Sequence, residues 1–188
     1  RITGTCPPIL FSSEANLSVL TNIFTTCHSI TSCPGEIIIP ITVSEFSDIA
    51  ALSLALSFNT NILTFTGYQN LHPSLNGGLF TANASGEKVL VSWTNSQAVS
   101  IPNNSTLIEL KFSSLPGTSS FTWDTQTPGF CEYSMLNGQV VYSTWINGSV
   151  TLRQPPIINV NPIDKTIYGG GNTNFSVNAS GTGLTYQW

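Results

Sequence analysis

Cys33-Pro34-Gly35-Glu36-Ile37-Ile38-Ile39-Pro40-Ile41-Thr42-Val43 opens the part of the chain that decides its fold, and Trp145-Ile146-Asn147-Gly148-Ser149-Val150-Thr151-Leu152 closes it. Between these ends lie about seven more short runs of alternating β-branched or aromatic residues, separated by Gly, Pro, Asn and Ser clusters, which is the pattern of a single all-β sandwich. No segment of useful length carries the period of a helix. In Ile49–Phe58, Leu52, Leu54, Leu56 and Phe58 alternate with Ser53, Ala55 and Ser57, so one face of that strand is expected to be buried. Lys88–Thr94 places Val89, Val91 and Trp93 inward, and Ser105–Ser113 does the same with Ile108, Leu110 and Phe112. Glu36–Val43 is a strand demoted by Pro40 to an edge or a bulge, because proline has no N–H for a ladder. Further strands are expected at Leu63–Gln69, Leu79–Ala84, Phe121–Asp124, Gln139–Tyr142 and Thr144–Leu152, with Thr127–Asn137 as a long loop.

Outward from this stretch, residues 1–32 read as a lead-in or the tail of a preceding module, broken early by Cys6-Pro7-Pro8. Residues 33–152 are the sandwich. Arg153-Gln154-Pro155-Pro156 is a stiff, extended linker. Residues 157–188 then offer four more short strands, Ile157–Val160, Thr166–Tyr168, Asn174–Val177 and Leu184–Trp188, with Gly169-Gly170-Gly171 and Gly181-Thr182-Gly183 as turns.

Composition narrows the function classes. Among 188 residues only 14 are charged (five basic, nine acidic), whereas 24 Ser, 23 Thr and 17 Asn supply the polar surface. That balance is typical of secreted β-rich proteins, and a hydrophobic content of 40% is enough for a core. The five cations are scattered, so nothing could neutralise a run of phosphates and nucleic acid is excluded as a partner. No apolar run has the length of a membrane span, and no leader pattern stands at the N-terminus, as expected of a processed or interior piece of a longer chain.

The four cysteines, Cys6, Cys27, Cys33 and Cys131, fit an oxidising compartment better than a metal site, since Cys27 and Cys33 are too far apart for a zinc knuckle and His28 has no partner histidine. Three pairings exist. Cys33–Cys131 with Cys6–Cys27 is preferred because the first pair lies within the sandwich and the second within the N-terminal segment; buried free thiols are the alternative. Seven Asn-x-Ser/Thr triplets, at Asn16, Asn83, Asn103, Asn104, Asn147, Asn174 and Asn178, mark polar turns.

No catalytic, cofactor or metal site is expected. The carboxylates are dispersed, His28 and His72 lie in irregular segments, and the triple glycine is followed by neither Lys-Ser/Thr nor a helix. Glu45 and Asp48 flank a turn, as solvated carboxylates or, less readily, a weak cation site. Trp93, Trp123 and Trp188 are expected in cores. Tyr68, Tyr133 and Trp145 remain as candidate ligand-facing aromatics, with core or rim packing the competing reading for each.

Cys-Pro-Gly-Glu before an apolar strand, the run Leu52 to Gly67, Thr106-Leu107-Ile108-Glu109-Leu110-Lys111-Phe112 and the terminal Asn147-Gly148-Ser149-Val150-Thr151-Leu152 together resemble the cohesin family over about residues 33–152. The most specific piece is Ala51–Gly67, an apolar strand running to Phe58, an Asn-rich turn, then Leu63-Thr64-Phe65 and a glycine. The resemblance implies a nine-stranded jelly roll and, for cellulosomal members, dockerin capture on one exposed sheet face. The Gly-rich segment ending Leu184-Thr185-Tyr186-Gln187-Trp188 separately resembles bacterial immunoglobulin-like repeats, with Trp188 where the core tryptophan of strand C would stand. The resulting expectation is a non-catalytic extracellular structural or adhesive module of a large secreted bacterial surface protein, flanked by further domains of the same chain. The alternatives are a protein-binding module that captures a dockerin-like partner, or a carbohydrate-binding accessory of a secreted enzyme. Exposed apolar residues on one sheet favour binding, and uniform Ser/Thr/Asn faces favour structure.

Overall fold

The computed structural model describes residues 22–187, and in it the alternating runs become strands. Five pair into one sheet: β1 (Ile23–Cys27), β3 (Gly35–Ser44), β5 (Leu63–Gln69), β8 (Ser105–Ser114) and β12 (Ser143–Ile146), in the order β12-β1-β3-β8-β5. Eight pair into a second sheet: β2 (Ile30–Ser32), β4 (Phe46–Ser57), β6 (Leu79–Ser85), β7 (Lys88–Ile101), β9 (Gly117–Trp123), β10 (Glu132–Ser134), β11 (Val140–Val141) and β13 (Gly148–Leu152). Strand β4 is the spine of this second sheet. β7 runs along one of its edges, from Ser57↔Lys88 to Phe46↔Ile101. β10 and β9 lie end to end along the other, at Ala51–Ser53 and Leu56–Ser57.

Alternation decides which side chains the two sheets enclose. Ile37, Ile39, Ile41 and Val43 of β3, Leu52, Leu54 and Leu56 of β4, Val89, Val91 and Trp93 of β7, and Ile108, Leu110 and Phe112 of β8 are all buried. Each such side chain removed from water contributes about 1.5–3 kcal/mol before the entropy of ordering is subtracted. Phe112 is the hub of an aromatic group, with Phe58, Phe65 and Phe121 at 5.2, 5.6 and 5.5 Å between centroids. The Trp93 indole N–H donates to the Leu75 carbonyl at 2.8 Å, which fastens the 3-10 turn Pro73–Leu75 over the end of the core.

Four expectations need correction. Of the two alternatives for Pro40 the bulge is found and the edge is not: β3 stands in the middle of its sheet, with β8 on one side and β1 on the other. Proline is tolerated there because β1 stops at Cys27, opposite Ile41, and the Pro40 carbonyl points past that end to accept from the His28 N–H at 3.2 Å; the missing N–H would face the same gap. A bulge at Ile41/Thr42 accompanies it. Second, the sandwich does not start at residue 33, since Ile23, Thr25 and Cys27 of β1 are buried in its core. Third, Thr127–Asn137 is not all loop, because it holds β10. Fourth, Thr144–Leu152 is two strands in different sheets. The chain crosses at Asn147-Gly148, where the Asn147 side-chain carbonyl accepts from the Trp123 N–H at 3.0 Å. Gly148 is required there, because a Cβ would come within 2.5 Å of the Cys27 carbonyl oxygen.

The N-terminal strands cross between sheets at the same level. Residues 23–26 pair in parallel with 143–146, and residues 30–32 pair in parallel with 150–152. Between the two ladders Ser29 accepts from the Ser149 N–H at 3.0 Å, with 120 residues separating the two serines. The partners at both ends, Ile23↔Ser143 and Leu152↔Ser32, keep that same offset, so one parallel zipper ties the first and last segments of the sandwich through both sheets.

Beyond residue 153, β14 (Ile157–Val160) and β15 (Asn178–Ser180) form a two-stranded antiparallel ribbon. The strands expected at Thr166–Tyr168, Asn174–Val177 and 184–187 are absent among the described residues, because no neighbouring strand is there to pair with them. Tyr168, Phe175 and Tyr186 are exposed. Trp188 and Cys6 lie outside the described residues.

Candidate functional site

The outer face of the eight-stranded sheet is a field of hydroxyls. Rows across it read Thr81–Ser92–Ser53–Glu132 over β6, β7, β4 and β10, and Thr118–Thr151–Thr31 over β9, β13 and β2. Thr81 and Ser92 bond each other at 2.7 Å. The outer face of the five-stranded sheet differs. It carries Phe24 (41% exposed) and Ile146 (44% exposed) near one corner and half-buried Ile38 and Pro40 in the middle. An ion pair between Glu36 and Lys111 at 3.3 Å flanks them. The eight-stranded face is thus rich in hydroxyls without being uniform, since its next row, Leu79–Thr94–Ala51–Ser134–Val140, exposes Leu79 and Val140.

Of the three candidate aromatics, Tyr133 is wholly buried and is not a ligand-facing residue. Its hydroxyl meets Thr25 at 2.7 Å, so both polar groups of the core are satisfied, and burial pushes its phenol pKa well above the ordinary value. Trp145 is half-buried: Tyr133 stacks on it at 5.3 Å with rings nearly parallel, and Trp123 tilts against it at 5.2 Å. Its edge reaches the surface while its face is taken. Tyr68 is 42% exposed and leans on Phe80 at 4.9 Å, bridging β5 and β6 where the two sheets have their open edges. The three residues do not form one site. Tyr142, 69% exposed, is the aromatic that sequence reasoning passed over; it follows buried Val141 in an alternating strand, and that phase was the available signal.

The β9–β10 loop is held by one carboxylate. Asp124 accepts from Lys88 at 2.6 Å, from the Thr127 hydroxyl at 2.9 Å and from the N–H groups of Thr127 and Gln126 at 3.1 and 3.2 Å. The Lys88 hydrogen bond, then Thr127, holds the Asp124 carboxyl far below the usual carboxylate range. The Lys88 ammonium also lies 5.6 Å from the centre of the Phe130 ring. Glu45 is likewise occupied, accepting from the Asn103 amide at 2.8 Å. Asn103 and Asn147 hold turns in place, as expected of those triplets, whereas Asn83 lies within β6 and Asn178 within β15, so these two do not mark turns. His72 caps the 3-10 turn by accepting from the Ser74 N–H at 3.3 Å, and His28 bonds Thr42 at 2.9 Å.

Cys33 and Cys131 are not joined. Cys33 is exposed and follows Ser32, which stands level with Leu152 and Gly117 at one end of β9. Cys131 is buried at the other end, its thiol on the Ala55 carbonyl that also accepts from Asp124. The length of β9 separates them, about 20 Å at ~3.3 Å per residue, against a Cα–Cα limit of about 7 Å for a disulfide. Cys27 is buried and unbonded among the described residues. Desolvation pushes the Cys27 thiol up to about 12 and Cys131 to about 11, so neither is a nucleophile.

No protein-family model matches the chain, and no curated protein matches it. Among solved structures, a non-cellulosomal cohesin from Archaeoglobus fulgidus is 20% identical with a TM-score of 0.57, covering 71% of this chain and 91% of its own. The sixth cohesin of Acetivibrio cellulolyticus scaffoldin B, in complex with a Cel5 dockerin, is 17% identical with a TM-score of 0.59, covering 70% and 99%. A cohesin in a type I cohesin–dockerin complex of Clostridium thermocellum is 10% identical with a TM-score of 0.60, covering 73% and 97%. At these identities the likeness is one of fold: the chain is an all-β protein whose sandwich is cohesin-like.

Proposed function

We propose that this is a non-catalytic, extracellular structural segment of a large secreted protein, built to carry tension along the chain and to meet other proteins on its outer faces. The observation that carries the proposal is the parallel zipper between residues 23–32 and 143–152. Force applied at the two ends of the sandwich loads those ladders along the strands, so many hydrogen bonds must fail together; a hairpin pulled open loses them one at a time. The surface chemistry, hydroxyls and amides with 14 charges, supports an extracellular setting. Residues 157–188 fit this reading as part of an immunoglobulin-like unit of the same parent chain, supported by the exposure of Tyr168, Phe175 and Tyr186.

Single-molecule pulling tests it. Stretched by its two termini, the chain is expected to unfold at several-fold higher force than when pulled across Leu79 and Thr94, opposite residues of the β6–β7 hairpin. Equal forces in the two geometries refute the tension-bearing role.

A second reading, capture of a dockerin-like partner on one sheet face, is favoured by the complexes in which two of the cohesins above were solved. Saturable binding of a dockerin to the immobilised chain, abolished by Ser92→Arg on the polar face, would support it over a purely structural role.

A further inference from the structure

Between the β9–β10 loop and strands β11 and β12 lies an open cleft of about 450 Å3. A volume of this order suits a ligand of drug-like size. Its walls combine two kinds of chemistry. Tyr142, Phe130 and the edge of Trp145 supply aromatic surface, and Gln126, Thr127 and Glu132 supply an amide, a hydroxyl and a carboxylate.

The loop that forms one wall is fixed in advance. Asp124 holds Gln126 and Thr127 through their N–H groups, and Glu132 accepts from the Gly129 N–H at 3.3 Å. Cys131, which also lines the cleft, sits in the left-handed region at φ 54°, a conformation that costs a non-glycine residue and that the surrounding bonds must hold. A wall ordered without a ligand loses little freedom on binding one.

The lining selects the ligand class. An anion is disfavoured, because Glu132 stands in the wall, no cationic side chain among the described residues lines the cleft, and the chain carries a net charge of −4. A purely apolar ligand would bury the remaining hydrogen-bonding capacity of Thr125, Gln126, Thr127 and Ser143, each of which makes one side-chain hydrogen bond already, to one another, to Asp124 or to the Val141 carbonyl. A neutral sugar has apolar C–H faces that stack on an aromatic ring and a rim of hydroxyls that both donate and accept, which an amide, a hydroxyl and a carboxylate can answer. We propose that this cleft binds a neutral saccharide, with Tyr142 as the stacking platform and Gln126 and Glu132 orienting the sugar hydroxyls. Sugar binding here is a separate activity from bearing tension and from meeting a dockerin-like partner, although β12 contributes to both cleft and zipper.

The test titrates the 188-residue chain with cellohexaose, xylohexaose, mannohexaose and chitohexaose, followed by calorimetry and by tryptophan fluorescence, since Trp145 lines the cleft and Trp123 tilts against it. At least one of the four is expected to bind with a Kd in the millimolar range or tighter and to change the emission. Tyr142→Ala weakens that binding by about tenfold or more, Gln126→Ala on the exposed loop also weakens it, and Tyr68→Ala at the far edge leaves it intact. The Gln126 variant carries the test if the Tyr142 variant fails to fold. No binding by any of the four up to about 10 mM overturns the proposal, as does binding that survives both cleft substitutions or is lost in Tyr68→Ala.

Discussion

Thr25 and Tyr133 lie 108 residues apart and meet at 2.7 Å in a largely apolar core. Removing the phenol hydroxyl leaves the Thr25 hydroxyl buried without its partner, so Tyr133→Phe is expected to destabilise the fold by about 1–3 kcal/mol in urea unfolding. A loss near zero would mean that the hydroxyl finds another acceptor. Asp124 makes the opposite kind of contribution, dependent on pH. Its folded pKa is depressed, chiefly by Lys88, so the stability it adds is complete above its unfolded value of 3.8 and is lost progressively as pH falls below that value toward the folded one. The gap in stability between wild type and Asp124→Asn should therefore be widest near neutral pH and shrink below about pH 4. A gap that stays constant from pH 7 to pH 3 contradicts that assignment. Sequence could not reveal either role, because a threonine in an inward phase and an aspartate after a tryptophan look ordinary until their distant partners are known.

Among the elements, the long alternating strands were legible and the short ones were not. β4, β7 and β8 bury the apolar residues that period-two reading assigns to them, Trp93 included, since each carries several alternating residues in a row. β1 hides its pattern behind inward Thr25, β10 has three residues and β11 two, and these exist because longer neighbours offer them a free edge. Pro40 signalled the bulge at Ile41/Thr42 but not the central place of β3, because its cost depends on where β1 ends, which only the pairing shows. The crossing at Asn147-Gly148 was readable as a polar turn and not as a change of sheet. Gly148→Ala tests that crossing. Its methyl group would press on the Cys27 backbone, which is not free to retreat, so cooperative unfolding should move to clearly lower denaturant. An unchanged midpoint would show that the crossing can open.

At the scale of the whole molecule, the sandwich is closed by its two ends. Residues 23–32 and 143–152 run parallel through both sheets, and that arrangement links the fold to the proposed role in bearing tension. The expected boundary at residue 33 would have cut the zipper away. The candidate aromatics fared similarly, because exposure is set by the neighbours that each strand acquires: Tyr133 went inward, Trp145 was covered on its face and Tyr68 stayed part-exposed against Phe80, while Tyr142, not among them, was left in the open. The most direct measurement compares the end-to-end unfolding force of the 188-residue chain with that of a chain beginning at Cys33. Without β1 and β2 the shorter chain should lose the high-force event and unfold at low force or without a cooperative transition. An unfolding force equal to that of the longer chain would contradict the claim that the parallel terminal strands carry the load.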